Sequence, residues 1–186
     1  MIVQGYRIEN KLKKTIEDLE RDYNIEISKI QQILLSIHGP ITTVLDVLYG
    51  DVNLFILNQQ FKNADKDMAD LIDVNKHDEV FHREVIVHKH GKPLVYASSL
   101  IPKSRCPPEI FDEIHRKQLT TGKIAYKFNF ETFRKITKIS IEKSTPLFEE
   151  LFKTDEDLLT REYVMIHDGK IFIHTKEAYP LSYFRE

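Results

Sequence analysis

The sequence has no tryptophan and a single cysteine, Cys106. One thiol excludes an intramolecular disulfide and a cysteine-built zinc site, and it suits a reducing compartment. Excess charge is lacking as well: 27 Lys and Arg stand against 29 Asp and Glu. That balance leaves no electrostatic footprint for nucleic acid and no polybasic arm for a membrane surface. The longest apolar runs are strand-sized, so neither a bilayer span nor a secretory leader is expected, and a cytoplasmic location is. Nucleophile elbow, phosphate-binding glycine loop, dinucleotide fingerprint and metalloprotease histidine pair are all missing, which leaves cofactor-dependent chemistry without support. His88 and His90 lie two apart beside a turn and could join His82 or His115 around a metal. Solvated histidines account for that spacing better, so no metal is expected.

What is present is 186 residues, enough for a single domain over 1–186 with a core of its own. Ile8, Leu12, Ile16, Leu19 and Tyr23 recur at helical spacing, which predicts an amphipathic N-terminal helix within residues 1–24 that carries no chemistry. Ser28 can cap a second helix, which His38-Gly39-Pro40 stops. A short helix over 41–49 and a strand over 52–60 follow, then a polar connection over 62–78 with room for one helical turn, long enough to serve as a lid or else merely mobile. Pro107-Pro108 opens another helix, a strand occupies the end of 130–142, and 146–152 reads as a helix.

Two hairpins carry the informative charges. With His90-Gly91 as a two-residue turn, Val87 pairs with Leu94, Val85 with Tyr96 and Arg83 with Ser98. Arg83 thereby continues an apolar row. A guanidinium in that place needs a bound anion, such as a carboxylate, or else a sheet margin with Glu84, Glu79 or solvent beside it. Asp168-Gly169 predicts a second hairpin pairing Ile166 with Ile171, Val164 with Ile173 and Glu162 with Thr175. Continued, that register puts Glu177 at the end of another apolar row. Two opposite charges from separate hairpins could then converge across one cavity.

The residues Arg83-Glu84, Gly91 and Pro102 of the first hairpin form a pattern with two further blocks, LLSIHGPITTVLDVLYGDVNLFIL over 34–57 and TREYVMIHDGKIFIHTKEAYP over 160–180. In that order they resemble the chorismate lyase superfamily, in its archaeal-type branch, from about Ser28 to the C-terminus. The fold expected is α+β: an antiparallel sheet of about six strands, from the two hairpins and the strands near Val52 and Ile136, with helices covering one side. The resemblance implies conversion of chorismate to 4-hydroxybenzoate and pyruvate in a closed apolar cavity, with no cofactor and a small ring carboxylate as the partner.

The same resemblance gives Arg83 the ring carboxylate and Glu177 the ring hydroxyl. Ile41 and Thr42 would lie against the ring, and the backbone at Thr121 and Gly122 would help hold the carboxylate. Two of these have plainer alternatives: Thr42 or Thr43 can simply cap the following helix, and Gly122 can be only a turn. Arg161 also has a family counterpart, although a sheet-edge ion pair with Glu162 or Asp157 explains it as well. Counting from the hairpin glycine puts Lys176 where relatives have glutamate, and a β-bulge would restore Glu177. The segments near Ile41, 62–78 and Thr121 are candidate flaps. A module that binds an aromatic acid without turning it over, like the effector domains of transcription regulators, is the rival function. A third is an association protein using its N-terminal helix, and oligomeric state stays open.

Overall fold

A computed structural model describes residues 11–116 and 121–186, apart from the side chains of Thr121 and Gly122. In chain order the elements are α1 (Lys11–Tyr23), α2 (Lys29–Ser36), α3 (Ile41–Tyr49), β1 (Asn53–Asn63), α4 (Lys66–Ile72), β2 (Glu79–Lys89), β3 (Lys92–Pro102), α5 (Pro108–Arg116), α6 (Thr121–Lys127), β4 (Phe133–Glu142), α7 (Pro146–Phe152), β5 (Leu158–His167) and β6 (Lys170–Pro180). The first ten residues of the segment 1–24, in which the N-terminal helix is expected, lie outside the described residues. Ser28 caps α2 in a full capping box with Gln31, which satisfies two otherwise orphaned N–H groups. Both hairpins turn where expected, with His90-Gly91 and Asp168-Gly169 at positive φ, as a two-residue turn between right-twisted strands requires.

The strands form one antiparallel sheet in the order β1-β2-β3-β6-β5-β4. The hairpins β2–β3 and β5–β6 meet through β3 and β6, so β1 and β4 are the edges. One face, here called the inner face, packs at one end against α1, α2 and α3 through Ile16, Leu34, Leu35, Ile41 and Leu45 on Val85, Val87, Val95 and Leu159. At its other end α5 and α6 bring Ile110, Ile114 and Ile124 onto Phe81, Ile101, Tyr163 and Met165. The main helices thus share one side, as expected. Two short helices also reach the outer face: α7 packs Phe152 on Ile86, Tyr96 and Ala178, and α4 packs Ala69 and Ile72 on Val80 and Leu100.

That position corrects the reading of 62–78 as a lid. The segment contains two turns of helix, capped by Asp65, and it covers the sheet face away from the inner helices. Its apolar residues Ala69 and Ile72 are spaced too briefly for helical periodicity to stand out.

Bulges correct both hairpin registers. In the first, Leu94 is the extra residue, so Val87 pairs with Val95, Val85 with Ala97 and Arg83 with Ser99 instead of Leu94, Tyr96 and Ser98. In the second, Ile166 pairs with Ile171 as expected, but Phe172 is extra. Beyond it Met165 pairs with Ile173, Val164 with His174, Tyr163 with Thr175 and Arg161 with Glu177. A third bulge at Thr137 of β4 brings Arg134 and Ile136 onto the same face as Ile139 and Ile141, where strict alternation would oppose them.

Candidate functional site

Between the two apolar clusters of the inner face, the sheet carries a belt of polar side chains. One row across it reads Arg83, Ser99, Thr175 and Tyr163, on β2, β3, β6 and β5 in turn. The next row reads Val85, Ala97, Glu177 and Arg161. A cavity opens over this belt, lined by Arg83, Val85, Ser99, Arg134, Tyr163 and Glu177 from the sheet and by Pro40, Ile41 and Thr42 from the start of α3. Its free volume is small, about 40 Å³, and an open cleft of about 810 Å³ adjoins it, with Pro40 and Arg134 lining both.

Arg83 is 2% exposed and lies on β2, inside the sheet. The edge-pair alternative therefore fails on topology. Burial pulls its guanidinium down to about 10, because low polarity penalises the charged form. Glu177 is 5% exposed and points into the cavity, while Lys176 reaches Glu142 on the outer face at 2.5 Å. The Phe172 bulge lies between the hairpin glycine and this pair and produces that facing.

Arg161 belongs to the site more closely than a sheet-edge pairing would allow. It is fully buried on β5, and its Nε donates to Glu177 Oε2 at 2.5 Å. Its Nη1 donates to the carbonyls of Leu34 and Ile37 at the end of α2, at 2.6 and 2.9 Å. A cation there also meets the negative end of the helix dipole. Tyr163 donates its hydroxyl to Glu177 Oε1 at 3.3 Å, and burial with the neighbouring Glu177 charge pushes that phenol up to about 12. The Glu177 carboxylate is thus fixed by two neighbours from β5.

Ile41 and Thr42 both reach the cavity, and both are buried. Thr42 does not cap α3. The N-cap is Pro40, which makes no side-chain hydrogen bond, and Thr42 Oγ1 meets no hydrogen-bonding partner among the described residues. A buried hydroxyl left without a partner costs about 1–3 kcal/mol, so a ligand atom or water is the natural complement. The Ser99 and Thr175 hydroxyls, 2.9 Å apart, form the floor between Arg83 and Glu177. Thr121 and Gly122 start α6, and their side chains lie outside the described residues.

The sequence reading missed Arg134 and Tyr163. Arg134 precedes Ile136 by two, as Arg83 precedes Val85, so an arginine heading an apolar row was the available signal. The Thr137 bulge hid it. His82 and His115, considered as partners for a metal, lie on opposite faces: His82 bonds Ser98 Oγ on the outer face, and His115 packs against Phe81 and Phe111 on the inner.

Known proteins bear on this arrangement. A protein of Methanocaldococcus jannaschii named "putative lyase MJ0807" is 31% identical over 156 residues, 80% of this chain and 77% of its own. The effector domain of PhnF from Mycobacterium smegmatis has a similar fold, with a TM-score of 0.63 at 13% identity over 77% of this chain and 90% of that one. The C-terminal domain of the histidine utilization repressor from Pseudomonas syringae gives a TM-score of 0.59 at 15% identity, covering 73% and 95%. The family model described as chorismate pyruvate-lyase, Rv2949c-like, matches residues 35–185, which contain the whole sheet and every lining residue named above, and the chain belongs to that family.

Proposed function

We propose that this protein is a lyase that converts chorismate to 4-hydroxybenzoate and pyruvate. The observation that carries the reading is the polar belt, with Arg83 at one end and a doubly held Glu177 at the other, inside otherwise apolar walls. Two strand spacings and two residues separate Arg83 from Glu177, about 12 Å between their Cα atoms. Their side chains then meet the two ends of a ring acid. Arg83 binds the ring carboxylate with its planar fork. Glu177 accepts from the ring hydroxyl, and Ile41 and Thr42 close on the ring.

The reaction breaks the bond from ring carbon to enolpyruvyl oxygen and removes the hydrogen from the neighbouring, hydroxyl-bearing carbon. The ring becomes aromatic, the proton ends on the three-carbon acid, and no electrons are exchanged with the surroundings. Glu177 stands beside the carbon that loses its hydrogen, within reach to move that proton. Apolar walls exclude water and hold the side chain in position to leave. The free interior is tighter than the roughly 300–1,000 Å³ of ordinary ligand pockets, so the walls part on entry.

Incubating the purified protein with chorismate and quantifying both products should give equal amounts of 4-hydroxybenzoate and pyruvate, and none with Arg83→Ala. Ring-acid binding without product would instead favour an effector-type binding module, a role that the shared fold and the same two charged anchors also serve.

A further inference from the structure

Arg134 stands at the mouth of the cavity, lining both it and the open cleft. The side chain is buried, and its position is fixed reciprocally with the connection before α3. His38 Nδ1 donates to the Arg134 carbonyl at 2.9 Å, and Arg134 Nη1 donates to the His38 carbonyl at 3.2 Å. Its other contacts are Met165 Sδ at 3.7 Å and the Tyr163 ring, 4.5 Å from the guanidinium carbon. All of these are neutral, and Nε is buried with no hydrogen-bonding partner among the described residues. The carboxylate that lines the cavity, Glu177, is already joined to Arg161. Among the described residues this buried guanidinium is held by neutral groups alone, and such a group is complete when an anion arrives.

We propose that Arg134 binds a second carboxylate, so that the site selects a ring dicarboxylate over a ring monocarboxylate. This rests on the reading of the cavity as a chorismate site. Arg83 and Arg134 lie four strands apart, about 19 Å along the sheet, and line one cavity from opposite sides. Anions bound by them sit at opposite ends of one ligand. In chorismate the second is the carboxylate of the enolpyruvyl group. Once the ether bond breaks, the three-carbon acid remains on Arg134, beside the cleft, and leaves by that side.

Two aromatic acids that cannot undergo the elimination test this by calorimetry: 4-hydroxy-3-methoxybenzoate and 3-(carboxymethoxy)-4-hydroxybenzoate. The parent should bind the diacid about 10- to 100-fold more tightly, the range of one charge-assisted fork. Arg134→Gln should erase that preference while holding the monoacid affinity within about threefold. If Arg134→Gln does not fold, Arg134→Lys decides: it keeps the charge, loses the fork, and should weaken the diacid alone. Equal binding of the two acids by the parent overturns the proposal, as does a preference that survives substitution. If the parent binds neither acid, the chorismate reading falls and this inference with it.

Discussion

Arg83 and Glu177 are held differently, and their substitutions should separate accordingly. Arg83→Ala removes the fork for the ring carboxylate and is expected to weaken 4-hydroxybenzoate binding by about 2–5 kcal/mol with the fold intact. Calorimetry on parent and variant decides it, and equal affinities would make Arg83 structural. Glu177→Gln keeps the shape and removes the charge, so chorismate turnover should fall about 10²-fold or more while ring-acid binding persists. Lys176→Gln, altering a side chain on the outer face, should leave the rate nearly unchanged. Arg161 bears on stability: Arg161→Met strands Glu177 as an unpaired buried charge at a cost of about 3–5 kcal/mol. Urea unfolding should show that cost shrinking when Glu177→Gln is added, and an additive pair of losses would contradict the coupling. From sequence, Arg83 and Glu177 were readable because each charge interrupts an apolar row. Arg161 has a family counterpart, but its buried setting was not readable, because its partners Leu34 and Ile37 are distant carbonyls that leave no mark in any local pattern.

Among the elements, the strands were legible in place and number but not in register. Turn chemistry at His90-Gly91 and Asp168-Gly169 located both hairpins, and the alternation of apolar residues located β4. The bulges at Leu94, Thr137 and Phe172 are single extra residues; Pro93 marks the first, the other two have no adjacent glycine or proline, and strict alternation misplaced what lay beyond each. Their effect can be measured on β4. Deleting Thr137 should turn Arg134 and Ile136 outward and bring Lys135 toward the buried face, a charge with no partner waiting there. The expected loss is about 3 kcal/mol or more in stability, together with the diacid preference. A deletion variant with parental melting and parental diacid binding would show that the bulge does not aim Arg134. Helix α4 was read as no more than one helical turn for a different reason: two turns are too few to display a period.

At the scale of the molecule, the sheet separates two polar systems. The inner belt is the candidate site, while the outer face joins His82 to Ser98, Tyr96 to Glu84, and His174 to Glu162. Burial lowers both histidines: Lys62 adds to the effect at His82, and Glu162 opposes it at His174. Because their folded values lie below the unfolded value near 6.5, their contribution is complete above about pH 6.5 and is lost as pH falls from there through the folded values. At Asp46, Glu84 and Glu142 burial is outweighed by hydrogen bonds and nearby lysines, so these carboxyls are lowered and their contribution fades only at more acid pH. Melting temperature should therefore decline between about pH 6.5 and 5, and the decline should vanish when His82→Gln and His174→Gln are combined. A parent curve level over that interval would remove the histidines from the account.

The Phe172 bulge has a consequence for how relatives of this chain are to be matched. An insertion is ordinarily assigned to a loop, where added length is tolerated, and strands are aligned without gaps. Here one extra residue inside β6 separates the turn from Glu177, and another inside β4 separates Arg134 from Ile139. Two sequences aligned gap-free along these strands can place a lysine over a glutamate although both proteins present the same acid to the same cavity. Family membership judged by an acid in a fixed column would reject such a chain, whereas a one-residue gap allowed within the strand would retain it.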